Sequence, residues 1–500
     1  MTLNTLLADV KGLDVPESTP LARELSGVCY DSRRATADSL FVCIKGALSD
    51  GHFYARSAYE KGCRFFLAQK PLSELPADAH VVLCNDTRRA LAEISANLFN
   101  HPARELHIIG ITGTKGKTTT ALLIYHILNA CGIPCGYIGT SGVKYGSFCF
   151  ESANTTPESY ILHEYMRNMR RAGVTHLVME VSSQALYLGR VHGISFHTAV
   201  FTNLSEDHIG EHEHPSFEHY KACKQALFTD HNIQYALLNA DDPYYEEFAA
   251  RVPQDVRTEC YAIHADKPDY RAVSMERFKQ NDCLGTVFTC QHHGRSLTLS
   301  QNFPGTFSVY NALAAFAVCK DAGISDETIA KKLADISIAG RFELVKALPY
   351  ATFIIDYAHN RASLTSALET LRAYEPKRLI CLFGSVGGRT FARRAELGSV
   401  AFELADFSIL TSDNPDDEDP QRILREIATQ FRGNTDRYVI IPDRAEAIRY
   451  AVSIAREGDV FLFAGKGHER YQLVFGEKRP FCERDILLAE CAKKLDPLLL

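Results

Sequence analysis

No apolar stretch in this 500-residue chain is long enough to form a transmembrane helix. Each such run is short and broken by charges, so no membrane insertion is expected. The opening residues Met1-Thr2-Leu3-Asn4 lack the basic region and apolar run of a secretory signal, which predicts a cytoplasmic protein. The 15 cysteines lack a paired framework, and Cys131 and Cys135 form a lone CxxxC with no second half. That argues against a zinc module or disulfide scaffold and predicts reduced, partly buried thiols. Positive charge is not in excess either: the net charge of −7 argues against nucleic acid as the main partner, while leaving room for a local cationic site. Internal repeats and low-complexity tracts are absent. What remains is an ordinary globular composition, 46% hydrophobic and 23% charged, in a chain too long for one core. A multidomain α/β enzyme is expected.

Three blocks are legible. The first ends near residues 100–103, where Pro102 interrupts the pattern before a new strand. It holds a strand-like run at residues 40–44 and a helix-like stretch at 55–61. The second opens with the apolar run 106–113, which feeds a Gly-rich turn and then a helical pattern of Leu122, Leu123, Ile127, Leu128 and Cys131. Further buried strands are expected at 176–181 and 198–204. The third block alternates strand candidates (352–357, 378–383, 407–411, 460–464) with helical stretches (393–405, 420–430, 444–456), the pattern of a doubly wound parallel sheet. Ligands of such sheets bind beyond the carboxyl ends of the strands. Polar clusters lie at those ends: Gly384-Ser385, Asp413-Asn414-Pro415 and Gly465-Lys466-Gly467-His468-Glu469.

The strongest local signal is Thr112-Gly113-Thr114-Lys115-Gly116-Lys117-Thr118-Thr119. It follows a strand and opens a helix, as a phosphate-binding loop must. Its glycines let backbone N–H groups turn toward phosphate oxygens, and the helix N-terminus adds positive potential. Lys117 suits the β- and γ-phosphates and Thr118 suits Mg²⁺. Ile111 stands where a full Walker A motif has its first glycine, and no Walker B aspartate is evident. Metal ligands must come from elsewhere: Glu180 at the end of the 176–181 strand, and His208 after the next strand.

Together with other separated motifs, these residues resemble the Mur ligases, and within them the branch that adds the third peptide residue. The motifs are Tyr30-Asp31-Ser32-Arg33, Asp50-Gly51-His52, Asn154-Thr155-Thr156-Pro157, Glu180-Val181-Ser182-Ser183, Phe201-Thr202-Asn203-Leu204, Tyr310-Asn311, Gly340-Arg341-Phe342-Glu343 and Asp356-Tyr357-Ala358-His359, plus Asp413-Asn414-Pro415 and Gly465-Lys466-Gly467-His468-Glu469. The resemblance implies three α/β domains. These are a uridine-nucleotide domain (1–103), a central P-loop ATPase domain (104–338) and a C-terminal Rossmann-like domain that receives the amino acid (339–500). It implies that ATP phosphorylates the γ-carboxyl of UDP-MurNAc-L-Ala-D-Glu and that a diamino acid then attacks the acyl phosphate, in peptidoglycan precursor synthesis. A monomer is expected. By the same resemblance Lys224 matches a lysine that CO₂ converts to a carbamate, an anionic oxygen ligand suited to Mg²⁺. It joins Lys117, Glu180 and His208 as catalytic, with Thr118, Glu180, His208 and Lys224 around the metal. Asn311 and Arg341 match nucleotide contacts, and Asp356 and His359 match positions near the same nucleotide. Tyr30 and Ser32, with residues 47–49 nearby, match the uracil end. Asn154, Thr155, Thr156, Ser182 and Arg190 match the muramoyl-dipeptide site.

Arg389 matches the grip on the incoming α-carboxylate, and Asp413, Asn414, Gly465 and Glu469 match residues around the amine and side chain. Members that add meso-diaminopimelate carry Arg after the DNP triplet, to pair with the distal carboxylate; this chain has Asp416. A missing Arg there forfeits a charge pair worth about 2–5 kcal/mol. Asp416 and Glu469 would instead attract an ammonium. With Lys115 in the loop and the stretch 207–215, this points to lysine, with diaminopimelate or ornithine as alternatives. Leu188, Ala339 and Gly388 depart from common family residues. A folylpolyglutamate synthetase-like enzyme is disfavoured by Asp31-Ser32-Arg33, and a silent scaffold by the intact catalytic set.

Overall fold

The computed structural model describes residues 1–46, 49–210, 213–280, 283–388 and 391–496. The chain separates into two compact units, Met1–Arg271 with Tyr310–Ser325, and Ala272–Val309 with Asp326–Leu500. The second unit thus includes part of the segment expected between 104 and 338. Tyr374 Oη, for example, donates to the Gly285 carbonyl at 2.7 Å, and Leu284 packs into the same core as Leu364 and Leu368.

The first unit begins with a five-stranded sheet ordered Leu13–Asp14, His80–Cys84, Phe65–Ala68, Ser39–Val42 and Gly27–Cys29, parallel except for the first pair. Its larger sheet is centred on His107–Thr112. That strand lies between His176–Glu180, followed outward by Cys135–Gly139, and Phe196–Phe201, followed by Ile233–Asn239 and Arg257–Ala262. All six are parallel and mostly apolar inside, as sheets covered on both faces are, with Thr112, Glu180, Thr198 and Asn239 the buried polar exceptions among the described residues. The phosphate-loop helix, Lys117–Ala130, buries Leu122, Leu123, Ile127 and Leu128, the residues whose spacing marks it in the sequence.

In the second unit the sheet order is Glu343–Leu348, Ala351–Asp356, Asp459–Ala464, Arg378–Phe383, Phe407–Leu410 and Tyr438–Ile440, antiparallel only at the first pair. Apolar cores cover both faces, one around Leu364, Leu368 and Leu397, the other around Ile448, Ala451 and Leu487. This is the doubly wound sheet expected. Two hairpins have no counterpart in the sequence reading, Cys283–His292 with Arg295–Gln301 and Tyr471–Val474 with Glu477–Pro480. Among the described residues no helix is long and apolar enough to cross a membrane.

Candidate active site

The phosphate loop is braced from the next strand's end. Asn203 accepts from the Lys115 N–H at 2.9 Å and donates to the Lys115 carbonyl at 3.0 Å, while Thr202 Oγ1 donates to that carbonyl at 2.7 Å. Gly113, at φ +144°, has no room for a side chain, because a Cβ would sit 2.0 Å from Thr202 Oγ1. Gly116, at φ +85°, caps the helix, and a Cβ there would meet Asn311 Oδ1 at 2.5 Å. Asn311 also accepts from Thr120 Oγ1 at 3.2 Å, which fixes it against the loop. Lys115 pairs with Asp207 at 2.9 Å, and Thr119 lies half-buried on the helix's first turn.

Two lysines converge on one carbonyl. Lys117 Nζ donates to the Gly113 carbonyl at 2.7 Å and to that of Thr114 at 3.0 Å; Lys224 Nζ donates to the Gly113 carbonyl at 2.7 Å. Lys224 is 1% exposed, and burial first, then the Lys117 charge, hold its amine well below the usual value near 10.5. Desolvation and a like charge both disfavour the ammonium, so the neutral, nucleophilic amine gains.

Glu180, 1% exposed, receives Thr118 Oγ1 at 2.9 Å, Tyr137 Oη at 2.6 Å, and the N–H and hydroxyl of Thr140 at 2.9 and 3.1 Å. Its own carbonyl accepts from Thr156 Oγ1 at 2.8 Å. Thr156 in turn accepts from the Ser182 N–H at 3.1 Å and receives Arg190 at its carbonyl at 3.0 Å. Thr155 meets Thr140 at 3.1 Å. Thr118 and Glu180 of the expected metal set and Thr155, Thr156, Ser182 and Arg190 of the expected dipeptide set therefore form one connected network at the end of the Glu180 strand, while Lys224 bonds the Gly113 carbonyl instead. Asn154 stays at the network's exposed edge, its carbonyl accepting from Ser152 Oγ.

Sequence reasoning missed Arg88 and Glu158. Arg88 pairs with Glu158 at 2.8 Å and Arg190 approaches the same carboxylate at 3.6 Å. Tyr30 lies beside this group: burial and then the Glu158 charge push its phenol up to about 12. Ser32 is buried on the short helix that Asp31 caps. Of residues 47–49, Ser49 alone is described.

His208 does not join the metal cluster. Its ring pairs with Glu213 at 3.2 Å and is half exposed, on a backbone at φ +57°. Among the described residues of that loop, the buried histidine is His214, which contacts Ser183 Oγ at 2.9 Å.

In the second unit, Arg341 stacks over Tyr357 at 4.8 Å, and Asp356 accepts from the N–H groups of Phe342 and Ala358 at 2.8 and 2.9 Å. Asp356 thus ties the Gly340-Arg341-Phe342 turn to the strand end, and His359 contacts the Tyr357 carbonyl at 2.7 Å. The amino-acid residues cluster round Lys466, a residue the sequence reading did not single out. Fully buried, it donates to Glu469 at 2.6 Å and Asn414 at 2.7 Å and lies 3.8 Å from Asp413. Asn414 donates to Glu469 at 3.0 Å. At Gly465, φ +109°, a Cβ would approach Asp413 Oδ2 to 2.6 Å. Behind the cluster, Arg444 forms a buried pair with Glu483 at 2.7 Å and donates to the Ala464 carbonyl at 2.9 Å. Arg389 lies outside the described residues.

Asp416 is tied to the hairpin Tyr471–Val474 with Glu477–Pro480. Its Oδ1 accepts from the Gly476 N–H at 2.8 Å and its carbonyl from the Phe475 N–H at 3.0 Å. Phe475 and Gly476, at φ +52° and +74°, form the two-residue turn of the 471–480 hairpin. One carboxylate oxygen is therefore committed to that turn.

Comparisons with known proteins identify the family. Three family descriptions match: the Mur ligase family catalytic domain at residues 24–98, the Mur ligase middle domain at 111–319, and the Mur ligase glutamate ligase domain at 340–467. A UDP-N-acetylmuramoyl-L-alanyl-D-glutamate–2,6-diaminopimelate ligase of Geobacillus kaustophilus is 40% identical over 98% of this chain and 99% of its own length. The enzyme of the same name from Syntrophomonas wolfei is 39% identical over 95% and 97%. A solved structure bearing that enzyme name superposes with a TM-score of 0.70 at 25% identity, covering 99% of both chains. The chain belongs to the Mur ligase family and is a ligase of its tripeptide-synthetase type.

Proposed function

We propose that this protein uses ATP to join meso-diaminopimelate to the γ-carboxyl of the D-glutamate in UDP-N-acetylmuramoyl-L-alanyl-D-glutamate. The observation that carries the reading is the continuous network from the phosphate-loop Thr118 through Glu180 to Thr156, Ser182 and Arg190. On this reading Thr118 and Glu180 serve the phosphate end and Thr156, Ser182 and Arg190 the carboxylate substrate. We assign residues 1–103 to the uridine nucleotide, 104–338 to ATP and 339–500 to the amino acid.

The γ-carboxylate attacks the terminal phosphorus of ATP, ADP leaves, and an acyl phosphate forms. The amine then attacks the acyl carbon, phosphate leaves, and the amide is made. A carboxylate is a poor electrophile, and the mixed anhydride supplies the leaving group. Lys117 and the loop N–H groups oppose charge on the phosphoryl oxygens, and held in place they cost no reorganisation during reaction. The buried oxygens of Thr118 and Glu180 suit a hard cation, and Mg²⁺ held there would neutralise phosphate charge. Lys224, as a neutral amine, can attack CO₂: an N–C bond forms, a proton leaves to solvent, and the anionic carbamate adds an oxygen donor. His208 enters that set only if its pairing with Glu213 opens.

Diaminopimelate is preferred over lysine because relatives near 40% identity carry that substrate in their names and Asp416 is engaged in a turn. Its distal carboxylate then needs a cation other than one at position 416. Burial pushes the Asp413 carboxyl up, against the nearby charges of Lys466, Arg444 and Arg393. The test is ADP release with UDP-MurNAc-L-Ala-D-Glu and, separately, diaminopimelate, lysine or ornithine. Turnover with diaminopimelate is expected. Turnover with lysine alone would reinstate the ammonium reading, and no turnover with any would overturn the ligase reaction.

A further inference from the structure

His214, His219 and Cys223 bring three soft donor atoms within 4.8 Å of one another. His219 and Cys223 are one turn apart on the helix Phe217–Thr229, so they share a face. His214 comes to that face from the preceding loop. Its Nδ1 stands 2.9 Å from His219 Nδ1, and Cys223 Sγ stands 3.7 Å from the same nitrogen. Bonds of about 2.0–2.1 Å to nitrogen and about 2.3 Å to sulfur in a tetrahedral site imply N···N and N···S separations of roughly 3.3 and 3.6 Å. Ser183 Oγ sits 2.9 Å from His214 Nε2, which lets that nitrogen carry the proton and turns the Nδ1 lone pair toward the cluster. Such an outer partner is the usual companion of a metal-bound imidazole.

We propose that His214, His219 and Cys223 form a binding site for one soft divalent transition-metal ion of the Zn²⁺ class. Mg²⁺ is excluded as the resident by chemistry, since nitrogen and sulfur donors do not suit it. Three protein ligands leave one tetrahedral position for water, which makes the ion exchangeable. On binding, the Cys223 S–H bond breaks, a sulfur–metal bond forms and the thiol proton passes to solvent. The His219 proton moves from Nδ1 to Nε2. An ion there would clasp the loop carrying His214 to the helix that carries Lys224. The ligase reading is not needed for this inference.

The test uses the full chain, stripped by chelator and titrated with Co²⁺ in excess Mg²⁺. One equivalent should give the visible bands of a four-coordinate ion and a near-ultraviolet thiolate-to-cobalt band, both displaced by Zn²⁺. Cys223→Ser should abolish the thiolate band, and His219→Gln should weaken Zn²⁺ binding on the order of 10- to 100-fold. A six-coordinate spectrum without a thiolate band in the wild-type protein would overturn the proposal. So would Zn²⁺ affinity unchanged in both variants, or no binding at all. ADP release, assayed separately, reports on the ligase reaction alone.

Discussion

Lys224 and Lys466 are both fully buried lysines, yet their surroundings give them opposite characters. Lys224 has a carbonyl to donate to and another lysine for a neighbour, so folding disfavours its charge. Lys466 has Glu469 at 2.6 Å, Asn414 at 2.7 Å and Asp413 at 3.8 Å, so its charge holds three polar groups in place. Burial by itself says nothing of a lysine's role. The neighbours decide whether it is a reactive amine or a fixed counter-ion.

The largest effect should come from Lys466→Met, which strands Glu469 and Asp413 without their cation. Breaking a buried pair costs about 3–5 kcal/mol, to be read as a lowered denaturant midpoint. Lys224→Met should instead lower kcat on the order of 10²- to 10³-fold, the scale of losing one group aimed at developing charge. Its fold should survive, as circular dichroism would check. The pH dependence of stability sharpens the contrast. Lys224 in the folded protein sits below its unfolded value near 10.5, so the unfolded chain binds the extra proton. In CO₂-free buffer wild-type stability should therefore rise with pH through the window below 10.5, and Lys224→Met should remove that rise. A slope unaltered by the substitution would mean that Lys224 folds as an ammonium. The smallest effect is expected from Asp416→Asn: about 1 kcal/mol at most from a weakened turn bond, with the preference between diaminopimelate and lysine unchanged.

Much of this was legible in the sequence where backbone constraint and residue type coincide. Gly113, Gly116 and Lys117 between an apolar strand and a helical pattern announce the phosphate loop, and the structure shows why those glycines admit no side chain. The alternating third block gives a doubly wound sheet for the same reason, since buried parallel strands are uniformly apolar. The failures occur where a partner is distant in sequence. Arg88 and Glu158 are 70 residues apart, and nothing local in either announces the pair. The bond from Asp416 to the turn of the hairpin 471–480 is equally invisible in the sequence. The hairpin's strands are half-buried or exposed and show no alternation; the signal was Gly476 in a two-residue turn. His208 and His214 sit in one His-rich stretch, and sequence alone offers no way to tell which one is buried.

The brace that Thr202 and Asn203 place on Lys115 bears on kinetics. The loop is held in its curved shape by neighbouring side chains, so nucleotide entry need not first order a wandering segment. Part of the entropy that binding would consume is already spent in folding. Substitutions at Asn203 should then act mainly on how fast the nucleotide arrives, by letting the loop sample closed shapes. Substitutions at Lys117 should act on how long it stays.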